Sequence, residues 1–289
     1  MSVVAIDWSG RSTGERRHLW LAEAHDGVLL RLEAGRTRAE VVDELVDRAA
    51  DTPGVVVGFD FSFSLPHWFL RSRGYPDARA LWDAAAIHGD EWLRTCDPPF
   101  WGRPGRPRPD LAGHLRRTEA TVAAVGGIRP KSSFQIGGAG SVGTGSVRGF
   151  PALAQLQDAG YAIWPFEAPA TAPVAVEIWP RSFTGPVVKS NAAARAAHLD
   201  GALPALRPAL RDAAVDSEDA FDATISAVVM SRHEAELRAL PALDGDARLE
   251  GWVWEPGVAS GWRRAAVPTG PAPSAGAPPT RRSRARAHR

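Results

Sequence analysis

The chain is poor in cysteine, lysine, methionine and tyrosine, and each shortage narrows what it can be. A single cysteine among 289 residues, Cys96, excludes an intramolecular disulfide framework and fits a reducing compartment. No histidine or cysteine cluster surrounds Cys96, so it reads as a passive residue rather than a nucleophile or zinc ligand. No apolar run reaches the length of a membrane span, and the N-terminus lacks the charged-then-apolar layout of a signal peptide. A cytoplasmic protein with no membrane partner is expected. Only two of the 34 basic residues are lysine, Lys131 and Lys189, and each is followed by serine.

What is present is ordinary for a globular protein: 44% hydrophobic and 23% charged residues. The net charge of +1 hides an asymmetry. The Pro/Gly/Ala/Ser-rich segment from Val267 to Arg289 holds five arginines and no acid, and removing those charges from +1 leaves −4 for the body. A slightly acidic body does not advertise a large nucleic-acid footprint. The segment 267–289 is expected to be a disordered basic tail, because it has too little to bury.

The organising stretch is Val3-Val4-Ala5-Ile6-Asp7-Trp8-Ser9-Gly10, a buried strand ending in a carboxylate and a turn. His18 to Ala24 and Val28 to Glu33 flank an Asp26-Gly27 turn, so three strands make an antiparallel meander. Thr37 to Glu40 is a capping box that opens a helix ended by Pro53-Gly54. Val55 to Asp60 is a second buried strand that ends in an acid, and strand–helix–strand order implies parallel pairing.

Residues 67–173 form an insertion too long for a plain loop. Helices are expected over Ala78–Arg94, Leu111–Val125 and Pro151–Ala159, with a glycine-rich loop at Arg129–Ser146. Val174 to Pro180 is a third buried strand and carries Glu177. Ala192–Leu199 and Leu203–Ala214 read as helices. Asp216-Ser-Glu-Asp219 caps a strong helix through Phe221, Ile225 and Val228. Trp252-Val-Trp254 reads as a closing edge strand.

Asp7, Asp60, Glu177, Asp219 and Asp222 therefore stand at strand ends or at the start of one helix. Asp219 and Asp222 are three apart and share a helix face. Acids in a first helical turn are commonly dipole partners, which accounts for Asp219 better than for Asp222. Carboxylates converging in a cleft repel one another unless cations neutralise them, and hard oxygen donors favour Mg²⁺ or Mn²⁺.

These residues resemble the ribonuclease H-like superfamily, and Ser217-Glu-Asp-Ala-Phe-Asp222-Ala resembles the metal-binding helix of RuvC-type resolvases. Val57-Gly-Phe-Asp60-Phe-Ser-Phe-Ser-Leu-Pro66, Glu177-Ile-Trp-Pro-Arg181 and Glu218-Asp-Ala-Phe-Asp222 are similar to motifs of the family called domain of unknown function 429, described as predicted nucleases. The resemblance covers residues 1 to about 256. It implies an α/β fold with a mixed five-stranded sheet of order 3-2-1-4-5, the insertion lying between strands 4 and 5. It departs from ribonuclease H in placing the second acid after the crossover strand and in adding Glu177.

The expected activity is metal-dependent phosphodiester hydrolysis. Asp7, Asp60 and Asp222 would hold metal, with Asp219 and Glu177 as further ligands or a base. Lys131, Ser132, Arg181 and Lys189 would contact a nucleic-acid or nucleotide substrate. A non-catalytic scaffold that kept the acids for folding is the alternative. An actin-like or kinase-type phosphotransferase fits less well, because Asp7-Trp-Ser-Gly10 is one residue too long for an Asp-x-Gly turn. Asp60-Phe-Ser lacks the second acid of a haloacid dehalogenase, and the glycine loop lacks the Gly-Lys-Ser/Thr of a Walker A site.

Overall fold

The computed structural model describes residues 3–52, 54–169 and 173–258. The expected tail at 267–289 and the helix-ending Pro53 lie outside the described residues.

In chain order the elements begin with β1 (Val3–Asp7), α1 (Glu15–His18), β2 (Trp20–His25), β3 (Val28–Glu33), α2 (Arg38–Asp51) and β4 (Val56–Phe59). The insertion contributes α3 (His67–Ser72), α4 (Ala78–Thr95), α5 (Arg117–Thr121), α6 (Gly143–Asp158) and β5 (Ala162–Ile163). The chain closes with β6 (Val174–Ile178), α7 (Pro180–Thr184), α8 (Ala192–Ala202), α9 (Pro208–Asp216), α10 (Glu218–Arg232), α11 (Glu234–Arg238), α12 (Ala247–Glu250) and β7 (Val253–Trp254).

The sheet runs β3-β2-β1-β4-β6-β5, with β7 also paired to β6. β1 pairs antiparallel with β2 and parallel with β4, and β4 pairs parallel with β6. The order 3-2-1-4-5 is thus present as β3-β2-β1-β4-β6, but the sheet has seven strands rather than five. The two additions are two-residue strands sharing one edge of β6: β5 pairs at Val174 and Ala175, β7 at Glu177 and Ile178. The hairpin between β2 and β3 turns on Asp26 and Gly27, both at positive φ (48° and 77°), the geometry a two-residue turn needs.

β1, β4 and β6 read as unbroken apolar runs because both sheet faces are covered. Val4, Ile6, Val57 and Phe59 face a core completed by α2, α4 and α6. Val3, Ala5, Val56 and Val176 face a second core, with Phe221, Ile225 and Val228 of α10. This alternation along each strand sends every second side chain to the opposite layer. The α10 layer packs closely: a Cβ at Gly58 would meet Met230 Sδ at 2.5 Å.

Three helices differ from expectation. Leu203–Ala214 is helical only from Pro208, running on to Asp216. Leu111–Val125 is helical only over Arg117–Thr121. Arg116 is its N-cap, with its N–H donated to Glu119 Oε2 at 2.6 Å, and Gly126 and Gly127 at positive φ follow Val125. Starting the helix only at Arg117 leaves Arg116 as its cap, with a fully buried side chain. Conversely, the short helix expected at Pro151–Ala159 begins eight residues earlier, at Gly143, inside what reads as a glycine loop. Packing overrides glycine's poor helix propensity here. A Cβ at Gly149 would lie 2.4 Å from the Phe61 ring, and a Cβ at Gly10 would lie 2.5 Å from Gly145 N.

No helix among the described residues is long and apolar enough to cross a membrane.

Candidate functional site

The C-terminal ends of β1, β4 and β6 open on a cleft of about 930 Å³. Asp7, Asp60, Glu177, Asp219 and Asp222 all line it, as do Lys131, Arg181 and Lys189. Three sheet strands, the first turns of α10, the loop after β1 and the insertion therefore meet at one place.

Asp7 ends β1, where the parallel register holds it beside the end of β4. Asp60 follows β4 and accepts the Trp8 N–H at 2.6 Å, tying the two strand ends together. Asp222 enters from α10, a helix started by Ser217, whose hydroxyl accepts the Ala220 N–H at 3.2 Å.

The three share one electrostatic field. Burial pushes the Asp7 carboxyl well above the usual range, and Asp60, Asp219 and Asp222 push it further. Burial raises Asp60 to about 7; the Trp8 N–H opposes that rise, while Asp222 and Asp219 add to it. Asp222 is raised by burial despite Lys189, whose Nζ stands 2.6 Å from Asp222 Oδ2. The other oxygen, Asp222 Oδ1, is buried with no hydrogen-bond partner among the described residues. Asp219 is more open and pairs through Oδ2 with His18 Nδ1 at 3.1 Å.

Glu177 does not belong to this group as a free ligand or base. It is 3% exposed, and both its oxygens accept from Arg116: Nη1 to Oε2 at 2.8 Å and Nη2 to Oε1. Oε2 also accepts the Phe63 N–H at 2.9 Å. Arg116 is itself fully buried and donates Nε to Glu119 Oε1 at 2.7 Å and Nη1 to the Glu250 carbonyl at 2.8 Å. Nearby, Glu250 Oε1 accepts the His67 N–H at 2.8 Å, and Oε2 accepts the Arg117 N–H at 2.7 Å. This network fastens the insertion to the end of the sheet. Nothing in the sequence pairs Arg116 with Glu177, which lie 61 residues apart.

The expected substrate contacts divide. Ser132 is buried, does not line the cleft, and donates its hydroxyl to the His114 carbonyl. It shapes the loop rather than touching a ligand. Arg181 lines the cleft while donating to the carbonyls of Gly185 and Val187. Lys189 is occupied by Asp222. Lys131 is exposed and has no ion pair among the described residues. Arg11, Arg103, Arg129 and Arg148, which motif reading did not single out, also line the cleft. Acids thus crowd its floor, while the insertion contributes Arg103, Arg129, Lys131 and Arg148 to its wall.

No family model, no curated protein and no solved structure matches this chain.

The acidic floor offers only carboxylate oxygens, the donors of a hard divalent cation, and the orphaned Asp222 Oδ1 suits such a partner. Its spacing is nonetheless open. Among the described residues, the one trio whose ligand atoms all lie within 4.8 Å is His25, Asp26 and Glu234, outside the cleft. Asp26 there is exposed, and Glu234 is already paired with Arg238 at 2.9 Å.

Proposed function

We propose that the cleft is the active site of a metal-dependent phosphodiester hydrolase. The observation that carries this reading is the convergence of Asp7, Asp60 and Asp222, buried acids that raise one another's proton affinity around an unpartnered oxygen. Such an arrangement is costly unless a cation or protons neutralise it. A divalent ion held there supplies water activation and charge screening on a phosphoryl oxygen. Mg²⁺ or Mn²⁺ suits the donor set.

Asp7, Asp60 and Asp222 would hold the ion. Asp219 is placed to orient His18 at the rim. Lys189 neutralises Asp222 and would have to give way to an ion held there. The insertion wall holds the anionic substrate by charge, without specifying DNA, RNA or nucleotide. Glu177 holds the insertion in place and takes no part in the chemistry.

The Lys189–Asp222 contact and the open spacing of the acids favour one competing reading, a non-catalytic binding protein whose acids are neutralised internally. Hydrolysis of bis(p-nitrophenyl) phosphate separates the two. The hydrolase reading expects Mn²⁺-dependent turnover that Asp222→Asn abolishes. Absent turnover would favour the binding protein, and turnover that persists in Asp222→Asn would overturn the assignment of the activity to these acids.

A further inference from the structure

The glycine-rich stretch feeds the cleft a helix terminus. Thr144 and Gly145, in the first turn of the sixteen-residue α6, both line the cleft. Gly143 N–H is donated to the Gln135 carbonyl and Ser146 N–H to the Val142 carbonyl. The Thr144 and Gly145 N–H groups have no hydrogen-bond partner among the described residues. Unpaired amides at a helix start carry the positive end of the helix dipole and attract anions.

Two side chains point to a ligand at the same place. The Trp8 indole N–H is buried without a partner among the described residues, on a residue 6% exposed that lines the cleft. Trp8 Cδ1, bonded to that nitrogen, lies 3.8 Å from where a Gly145 Cβ would stand, so the N–H edge of the ring faces the first turn of α6. A buried donor left unpaired is costly, and a bound acceptor removes the cost. Lys131 supplies the charge: its Cε lies 3.8 Å from the place of a Gly140 Cβ, on the approach to α6, and no acid among the described residues engages it. The cleft's volume of about 930 Å³ suits a small ligand rather than a duplex.

We propose that the first turn of α6, the Trp8 indole N–H and Lys131 form an anion subsite for the phosphate group of a nucleotide-sized substrate. The assignment of substrate rests on the hydrolase reading, but the subsite itself requires no metal. It lies where the insertion meets the acids: α6 and Lys131 come from the insertion, while Trp8 follows Asp7 and donates its backbone N–H to Asp60 Oδ1.

The test is calorimetry on the metal-free full chain with inorganic phosphate and, separately, with a nucleoside 5′-monophosphate. Wild type is expected to bind both, the monophosphate more tightly. Lys131→Ala, an exposed change, and Trp8→Phe, which keeps an aromatic ring but loses the second ring of the indole with its N–H, should each weaken both ligands about fivefold or more. Mn²⁺ affinity should stay unchanged in Lys131→Ala, as should the melting temperature, so that a loss of phosphate binding there cannot be put down to unfolding. Trp8→Phe is expected to lower the melting temperature because it leaves a cavity beside Phe59 and Phe61. No binding by wild type, or affinities indifferent to both variants, would overturn the subsite. Equal affinity for the two ligands would overturn the nucleotide assignment in favour of free phosphate. Phosphate binding without Mn²⁺ binding would refute the hydrolase and leave the subsite standing.

Discussion

Lys189 Nζ lies 2.6 Å from Asp222 Oδ2, with both side chains less than a fifth exposed. A lysine that reads from sequence as a phosphate contact is instead the counter-charge of the acidic floor. On the proposed reading, its ammonium and a divalent cation would compete for the same carboxylate.

Replacing Lys189 therefore has two opposite effects. Lys189→Met should destabilise the metal-free protein by about 2–4 kcal/mol, because Asp222 is left charged and unpaired in a desolvated place. The same change should tighten Mn²⁺ binding. Thermal melts with and without Mn²⁺ check both. Weaker Mn²⁺ binding in the variant would show that Lys189 supports the site rather than occupying it.

The raised carboxyls give the metal-free protein a distinctive pH dependence. Asp60 has a folded value near 7 against an ordinary 3.8, so the folded state holds a proton that the unfolded chain releases. Stability from this source is complete below about pH 4 and declines as pH rises through 7. Burial raises Asp7 and Asp222 in the same direction. Glu33 and Glu40 oppose them only in acid: hydrogen bonds from Arg31 and Arg16 hold each near 2, so both act below their ordinary 4.5. The melting temperature without metal should thus fall between pH 5 and pH 8, and Asp60→Asn should flatten that fall. A melting temperature that rises over this interval would contradict the shared field.

Arg116 predicts a cost without a catalytic signature of its own. Arg116→Met leaves Glu177 and Glu119 buried without their cation and should cost about 3–5 kcal/mol. Adding Glu177→Gln and Glu119→Gln should recover part of that loss, because the stranded charges go with them. Denaturant melts decide the matter. A loss below about 1 kcal/mol for Arg116→Met would mean that the network does not anchor the insertion.

What was legible in the sequence was whatever repeats along it. The runs ending at Asp7, Asp60 and Glu177 gave the three central strands, because strands covered on both faces need continuous apolar residues. The spacing of Asp219 and Asp222 placed them on one helix, and Thr37 with Glu40 marked the start of α2. The start of α6 was hidden because Gly143, Gly145 and Gly149 disfavour a helix locally; their use lies in close approach to Gly10 and Phe61, a tertiary matter. Glu177 looked like a member of the acid cluster because its partner arrives from the insertion, and no local pattern announces Arg116. β5, two residues long, carries no periodicity to detect, whereas β7 lies within the edge strand that Trp252-Val-Trp254 announces.

The most direct test of the central claim is calorimetric titration of the metal-free protein with Mn²⁺ at pH 7.5. The account predicts a saturable site that Asp7→Asn and Asp222→Asn each abolish, while Asp26→Asn, at the separate trio with His25 and Glu234, leaves it intact. Absence of a site, or one lost in Asp26→Asn and kept in Asp7→Asn and Asp222→Asn, would contradict it.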